Sequence, residues 1–199
     1  MNIVIIKYNA GNIRSVYNAL KRLGHDAEIT DDEAKIRAAD KVIFPGVGEA
    51  STTMKFLREK GLDKIIVSLR QPVLGICLGM QLMCAHSEEG DVDCLGIFDV
   101  PVKRFELPSP NPDNVKIPQM GWNNINNVRQ PLFDASLEGQ FVYFVHSYYV
   151  PLCEYTAAST FHTIAYSSAL CRGNFYATQF HPEKSGSVGE KILKNFLSI

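Results

Sequence analysis

The sequence predicts a three-layer α/β sandwich, in which a mostly parallel central sheet is covered by helices on both faces. Short, nearly all-apolar runs such as 2–6 and 41–44 are typical of strands that are buried on both faces of such a sheet. Segments with apolar residues at helical spacing separate these runs. Strands that alternate with helices favour parallel pairing, because each helix carries the chain back to the end of the sheet where the previous strand began.

The first half of the chain contains most of these strand–helix units. We expect strands at 2–6, 27–30, 41–44 and 73–76, and helices at 13–23, 33–39, 49–60, 62–70 and 78–85. Asn12 is a suitable N-cap for the first helix, and Gly24 follows its end, where a left-handed residue is common. Pro45 and Gly46 are expected to stop the third strand.

The second half changes character and predicts some antiparallel strands. Four prolines within 106–119 indicate a loop. Strand-like runs follow at 141–145, 156–160, 163–167 and 175–180. The segment from Ser187 to Glu190 fits a capping box that would begin the last helix. Since no repeat or linker divides the chain, we expect a single domain over residues 1–199.

Composition excludes several classes of protein. The 199 residues include 20 Lys and Arg against 21 Asp and Glu, so there is no broad basic surface for nucleic acid. No apolar run approaches the roughly 20 residues of a membrane span, and the first is too short for a signal peptide, so we expect a cytoplasmic protein. Five scattered cysteines without a C-x-x-C pair favour neither a disulfide framework nor a metal site.

The segment Gly-Ile-Cys-Leu-Gly at 75–79 is the sharpest chemical feature of the sequence. It follows an apolar strand and precedes a helical pattern, which is the context of a nucleophile elbow with cysteine in place of serine. The two glycines would avoid collisions in the sharp turn. Cys77 would lie at a helix N-terminus, where free N–H groups stabilise a thiolate. We therefore predict that Cys77 is a nucleophile.

A cysteine nucleophile needs a base and a group that orients the base. His181 follows an apolar strand, is stiffened by Pro182, and has Glu183 two residues further on. These features favour His181 as the base and Glu183 as the orienting carboxylate. His146, which ends another apolar run, is the rival base.

Acyl chemistry also requires an oxyanion hole. The N–H of Leu78 is one natural donor, and the turn at Gly46, Val47 and Gly48 allows further backbone N–H groups to approach a substrate. The sequence contains neither of the two Gly-rich nucleotide-binding motifs, G-x-x-x-x-G-K-[ST] and G-x-G-x-x-G. The residues alone thus predict a cysteine acyl-transfer enzyme without a cofactor, and they do not name the acyl donor.

Three motifs together resemble the class I glutamine amidotransferases. Along the chain they are Pro-Gly-x-Gly at 45–48, G-x-C-x-G at 75–79 and His-Pro-Glu at 181–183, which is the order that the family shows. Further segments resemble one branch of that family, the glutaminase subunits of imidazole glycerol phosphate synthase. These segments are 8–16, 120–123 and 143–148. Together with the motifs they span nearly the whole chain.

This resemblance implies a specific reaction. Cys77 would attack the side-chain amide of glutamine, His181 would protonate the departing ammonia and then activate water, and Glu183 would orient His181. A flip of the strand at 46–48 would complete an oxyanion hole with the N–H of Leu78. The glutamine-binding residues implied by the family are Gln81, Glu89, Ser147 and Tyr148, with Glu89 against the substrate ammonium group.

The resemblance also implies a partner, the (β/α)8-barrel cyclase subunit HisF. Ammonia would pass to HisF, which makes imidazole glycerol phosphate and an aminoimidazole carboxamide ribonucleotide in histidine biosynthesis. The positions that face this partner in the family are Asn12, Met120, Trp122, Tyr143 and Lys184. Two residues depart from the family pattern: Lys7 stands where relatives carry an acid, and Gln119 stands where they carry a histidine.

Three alternatives remain open on sequence grounds. The same triad would serve a cysteine peptidase or an esterase-like hydrolase that needs no partner. A binding subunit that has lost catalysis would keep only the fold, although an intact triad argues against it. A paralogue would keep the glutaminase chemistry and supply ammonia to a different synthase.

Overall fold

The structure is a computed structural model that describes residues 1–8, 13–111 and 114–199. The helices are α1 (Ile13–Arg22), α2 (Glu33–Ala38), α3 (Ala50–Lys60), α4 (Leu62–Val67), α5 (Leu78–Leu82) and α6 (Gly186–Ser198). The strands are β1 (Ile3–Ile6), β2 (Ala27–Thr30), β3 (Lys41–Gly46), β4 (Val73–Cys77), β5 (His86–Ser87), β6 (Val92–Asp93), β7 (Pro101–Arg104), β8 (Gln119–Asn124), β9 (Phe141–His146), β10 (Tyr148–Pro151), β11 (Thr156–Phe161), β12 (Ala165–Arg172) and β13 (Phe175–Thr178).

Parallel strands form the half of the main sheet that carries the predicted nucleophile. The order is β2-β1-β3-β4-β13, and every neighbouring pair in this run is parallel. Strands β4 and β13 are adjacent, so their carboxyl ends lie side by side. This adjacency brings Cys77, the last residue of β4, next to the segment that follows β13 and contains His181.

The other half of the sheet is largely antiparallel. Strand β12 pairs with β13, β10 and β11, and the sheet continues from β10 through β7 to β5 and β6. Strands β8 and β9 form a separate antiparallel hairpin. A backbone hydrogen bond of 2.9 Å from the N–H of His181 to the carbonyl oxygen of Tyr143 ties this hairpin to the end of β13.

Two apolar clusters lie on opposite faces of the sheet, which confirms the predicted three-layer α/β class. In β1 the side chains alternate between them: Val4 and Ile6 belong to one cluster and Ile3 and Ile5 to the other. Helices α2 to α5 pack on the first cluster, whereas α1 and α6 pack on the second. Among the described residues, no helix is long and apolar enough to cross a membrane.

The structure corrects two predicted boundaries. Pro45 and Gly46 do not stop β3, because the strand continues beside β4 with Pro45 opposite Ile76. The pairing with β1 has already ended at Ile43, so no N–H is needed at Pro45 on that side. The capping box at 187–190 is also wrong, because α6 begins earlier, at Gly186.

Candidate active site

The turn at Cys77 has the strained geometry of a nucleophile elbow. Cys77 ends β4 and precedes α5 with a φ of 55° and a ψ of −111°, a conformation that side chains rarely adopt. A Cβ atom at Gly79 would lie 1.9 Å from the carbonyl oxygen of Phe44. A Cβ at Gly75 would lie 2.9 Å from the sulfur of Met83. Position 79 therefore requires glycine, and position 75 leaves little room for a side chain. The helix after the turn ends at Leu82 and is shorter than predicted.

This packing predicts a large loss of stability in Gly79→Ala. The new methyl group meets backbone rather than a flexible side chain, so we expect a loss of about 3 kcal/mol or more in the free energy of unfolding. Gly173→Ala is the matched control. Its φ of 58° also disfavours alanine, but its Cβ would meet open space, so about 1–2 kcal/mol is expected. Equal losses in denaturant titrations of the two variants would contradict the close contact at Gly79.

Cys77 and His181 face the same cleft. Cys77 is 7% exposed, and its sulfur lies 3.8 Å from the side-chain nitrogen of Gln179. Nδ1 of His181 lies 2.8 Å from Oε1 of Glu183, and both side chains are buried. Burial lowers the pKa of His181, but interactions with Cys77 and Glu183 outweigh it and raise the pKa to about 10. The site therefore favours the imidazolium form of His181.

The rival base, His146, has both ring nitrogens committed elsewhere. Its Nδ1 lies 2.7 Å from the carbonyl oxygen of Tyr148, and its Nε2 lies 3.3 Å from the hydroxyl of Tyr166. Burial lowers the pKa of His146 to about 3, although the hydrogen bond to Tyr148 raises it in part. His146 is therefore neutral at physiological pH and has no lone pair directed at Cys77.

A cleft of about 430 Å³ opens over Cys77 and His181. Its walls include most of the residues predicted to bind substrate or to form the oxyanion hole: Val47, Gly48, Leu78, Gln81, Glu89, Ser147 and Tyr148. Gly46 ends β3 and is opposite Cys77 in the register of β3 and β4. A Cβ at Gly46 would lie 2.5 Å from the hydroxyl of Tyr8, so glycine is also required there. Gly48 has a φ of 131°, which favours glycine.

Two polar side chains that line the cleft, Gln81 and Glu89, are held by hydrogen bonds. Gln81 is buried, and its Nε2 donates to the carbonyl oxygen of Tyr148 at 3.1 Å and to Oε1 of Gln179 at 2.9 Å. Glu89 accepts a hydrogen bond of 3.0 Å from the N–H of Ala50. Burial raises the pKa of Glu89 above its ordinary value, more than this hydrogen bond lowers it. A cationic ligand beside Glu89 would therefore be favoured.

Sequence reasoning missed Gln179. It is fully buried and contacts both Cys77 and Gln81. The sequence did contain a signal for this placement. In an extended segment residues 179 and 181 point to the same side, so Gln179 is expected on the same side as the predicted base His181. No three His, Cys, Asp or Glu side chains within residues 1–8, 13–111 and 114–199 form a cluster suited to a metal ion.

Three of the five predicted partner-facing residues, Met120, Trp122 and Tyr143, lie on the β8–β9 hairpin. Met120 is 66% and Trp122 57% exposed, which is unusual for such large apolar side chains. Trp122 pairs in register with Tyr143, and their rings pack edge to face with centroids 6.1 Å apart. Lys184 is exposed and lies in the turn after His181. Asn12 lies outside the described residues.

Comparison with known families decides the class of the protein. Residues 4–199 match the sequence profile described as "Glutamine amidotransferase class-I". The chain belongs to the class I glutamine amidotransferase family. As a class I glutamine amidotransferase it is an enzyme, and this membership removes the peptidase and esterase alternatives.

Individual relatives agree with this family. A Bacteroides thetaiotaomicron protein named "Imidazole glycerol phosphate synthase subunit HisH" is 61% identical over 199 residues, which cover 100% of both chains. A protein of the same name from Idiomarina loihiensis is 46% identical and covers 100% of this chain and 98% of its own. A solved structure described as a glutamine amidotransferase superposes with a TM-score of 0.71 at 21% identity, over 98% of this chain and 97% of the other, and shows the same fold.

Proposed function

We propose that the chain is the glutaminase subunit of an imidazole glycerol phosphate synthase, and that it supplies ammonia to a HisF cyclase subunit for histidine biosynthesis. The observation that carries this proposal is the 61% identity, over the full length of both chains, with a protein named as a subunit of that synthase. The cleft geometry supports glutamine hydrolysis by a thiolate. All five cysteines are free thiols, which suits the cytoplasm as the proposed compartment.

The first half of the proposed reaction forms a thioester. The Cys77 thiolate attacks the side-chain carbonyl carbon of glutamine, and the carbonyl electrons move to oxygen. When the tetrahedral intermediate collapses, the C–N bond breaks and the imidazolium of His181 transfers its proton to the leaving nitrogen. The raised pKa of His181 supports this role, because the ring is protonated before the substrate reacts.

The second half of the reaction hydrolyses the thioester. His181, now neutral, takes a proton from water, and the resulting hydroxide attacks the thioester carbonyl. Collapse of the second intermediate breaks the C–S bond and releases glutamate, which restores the thiolate and the imidazolium. Glu183 stabilises the positive charge on His181 and, through the contact of 2.8 Å, orients the ring during both proton transfers.

Backbone groups supply the proposed oxyanion hole. The N–H of Leu78 follows the nucleophile, and Val47 and Gly48, which follow the end of β3 at Gly46, border the same cleft. The Tyr8 hydroxyl donates a hydrogen bond to the carbonyl oxygen of Pro45 and so holds the backbone just before Gly46. Glycines on both sides of Val47 allow its peptide to rotate when the partner is loaded.

The substrate is held by the remaining walls of the cleft. We assign Glu89 to the α-ammonium group of glutamine, because its pKa is raised by burial and a cation would relieve that cost. Gln81, Ser147 and Tyr148 line the cleft around the rest of the molecule. The cyclase would dock on the exposed side chains of Met120 and Trp122, which lie on the hairpin tied to His181.

The proposal predicts that a cyclase carrying its nucleotide stimulates glutamate release at least tenfold over the chain alone. The measurement is glutamate and imidazole glycerol phosphate from one reaction, which should form in equal amounts. Trp122→Ala should weaken the stimulation, whereas Leu152→Ala, which removes an equally exposed apolar side chain outside the hairpin, should not. If no loaded cyclase stimulates the reaction, the synthase assignment fails and a paralogue that serves another acceptor is favoured.

A further inference from the structure

A group of buried polar side chains lies between the partner-facing hairpin and the cleft. It consists of Gln119 on β8, His146 on β9 and Tyr166 on β12. Gln119 and His146 are directly opposite each other in the hairpin, so both side chains point to the same face. The Tyr166 hydroxyl lies 2.8 Å from the side-chain amide of Gln119 and 3.3 Å from Nε2 of His146.

The direction of each hydrogen bond follows from the carbonyl oxygen of Tyr148. This oxygen can only accept, so Nδ1 of His146, at 2.7 Å, carries the proton. In a neutral imidazole Nε2 is then a bare acceptor, and the hydroxyl of Tyr166 must donate to it. The oxygen of Tyr166 is thereby left to accept a hydrogen bond from the amide of Gln119.

This direction also accounts for an orphaned donor. With Oε1 of Gln119 facing Tyr166, the buried Nε2 of Gln119 finds no partner among the described residues. A rotation of the amide by 180° turns its NH₂ group to Tyr166 and places the oxygen in the unpartnered position, which is the more favourable arrangement because buried donors are rarely left unpaired. The Thr160 hydroxyl is also near Tyr166, but its proton goes to the carbonyl oxygen of Asn124 at 2.8 Å, so it does not donate to Tyr166.

We propose that Gln119, Tyr166 and His146 form a directional hydrogen-bond chain that fixes the Tyr148 carbonyl and so positions the glutamine-binding wall of the cleft. The same carbonyl oxygen accepts from Gln81 at 3.1 Å, so it is held between His146 and a cleft residue. The three members of the chain are positioning residues. The inference rests on the proposed placement of glutamine against Gln81 and Tyr148.

The test separates substrate binding from thiol reactivity in the full-length chain. A glutamine analogue with a diazoketone in place of the amide alkylates Cys77 with saturating kinetics, whereas iodoacetamide reports the reactivity of the thiol alone. We expect Tyr166→Phe to raise the half-saturating concentration of the analogue about tenfold, and Gln119→Met about fivefold. The maximal rate and the iodoacetamide rate should stay within twofold of the unmodified chain.

Two further variants distinguish positioning from general damage. Gln119→His restores an N–H donor and should return the half-saturating concentration to within twofold of the original. Tyr176→Phe removes the hydroxyl of another buried tyrosine, in the same apolar cluster as Tyr166, and should have no effect. In nitrogen NMR spectra, His146 should be neutral with its proton on Nδ1.

Several results would overturn the inference. They are a proton on Nε2 of His146, no change in half-saturation in Tyr166→Phe, equal damage in the two Gln119 variants, or a parallel fall in the iodoacetamide rate. An unmodified chain that reacts with iodoacetamide but ignores the analogue would refute the proposed glutamine site, and the inference with it. If the analogue alkylates the unmodified chain normally and the variants react in the same way, the inference is refuted but the proposed glutamine site is not.

Discussion

Cys77→Ala is expected to abolish glutamate release from glutamine, with a fall of at least about 10³-fold in kcat. The variant has no thiolate, and no other nucleophile is proposed in the cleft. Since Cys77 is buried at the elbow whereas Met120 and Trp122 are exposed, partner binding should survive. Synthesis of imidazole glycerol phosphate from added ammonium salt should also survive, because it bypasses the glutaminase.

Glutamate release and ammonia-dependent synthesis should be measured on the same preparation with loaded cyclase. Cys171→Ala is the matched control, because it removes a half-buried thiol on β12 that does not line the cleft, and its rates should stay within twofold. Glutamine use retained by Cys77→Ala would refute the assignment of the nucleophile. Simultaneous loss of both activities would point to damage of the interface instead.

Glu183→Gln is expected to lower kcat by about 10²- to 10⁴-fold, with much less effect on KM. The amide keeps the size of the side chain but removes the negative charge that lies 2.8 Å from Nδ1 of His181. The imidazolium then loses its main stabilising carboxylate, and both proton transfers become harder. Glu190→Gln is a suitable control because that glutamate pairs with Arg22 on the surface.

The same variant should change the pH dependence in a defined direction. The pKa of His181 is raised from 6.5 to about 10, so the stabilisation of its charged form is complete below pH 6.5 and is lost as pH rises through 10. Without the charge of Glu183 the pKa falls towards its ordinary value. The basic limb of the pH–rate profile should therefore move down by about one pH unit or more. An unmoved limb would show that Glu183 does not set the pKa of His181.

Strands of the parallel half of the sheet agree with their prediction more closely than those of the antiparallel half. The predictions for β1, β3 and β4 differ from the structure by two residues at most, because nearly all-apolar runs carry a strong signal of their own. Strand β8 was assigned partly to a loop and β12 was predicted too short. Ser167 of β12 is fully buried, and its hydroxyl donates to the carbonyl oxygen of Pro151 on the neighbouring strand β10 at 2.8 Å, a contact that the sequence pattern does not show.

The sequence alone determined the elbow at Cys77 and the turn at His181, because each depends on residues that are close along the chain. A strand, a sharp glycine-flanked turn and a helix are local features, and sterics at Gly75 and Gly79 impose them. The choice between His181 and His146 depended on the tertiary structure. Strand order places one histidine beside a thiol more than a hundred residues away, and hydrogen bonds from distant strands commit the other. Contacts of this kind leave no periodic signal in a sequence.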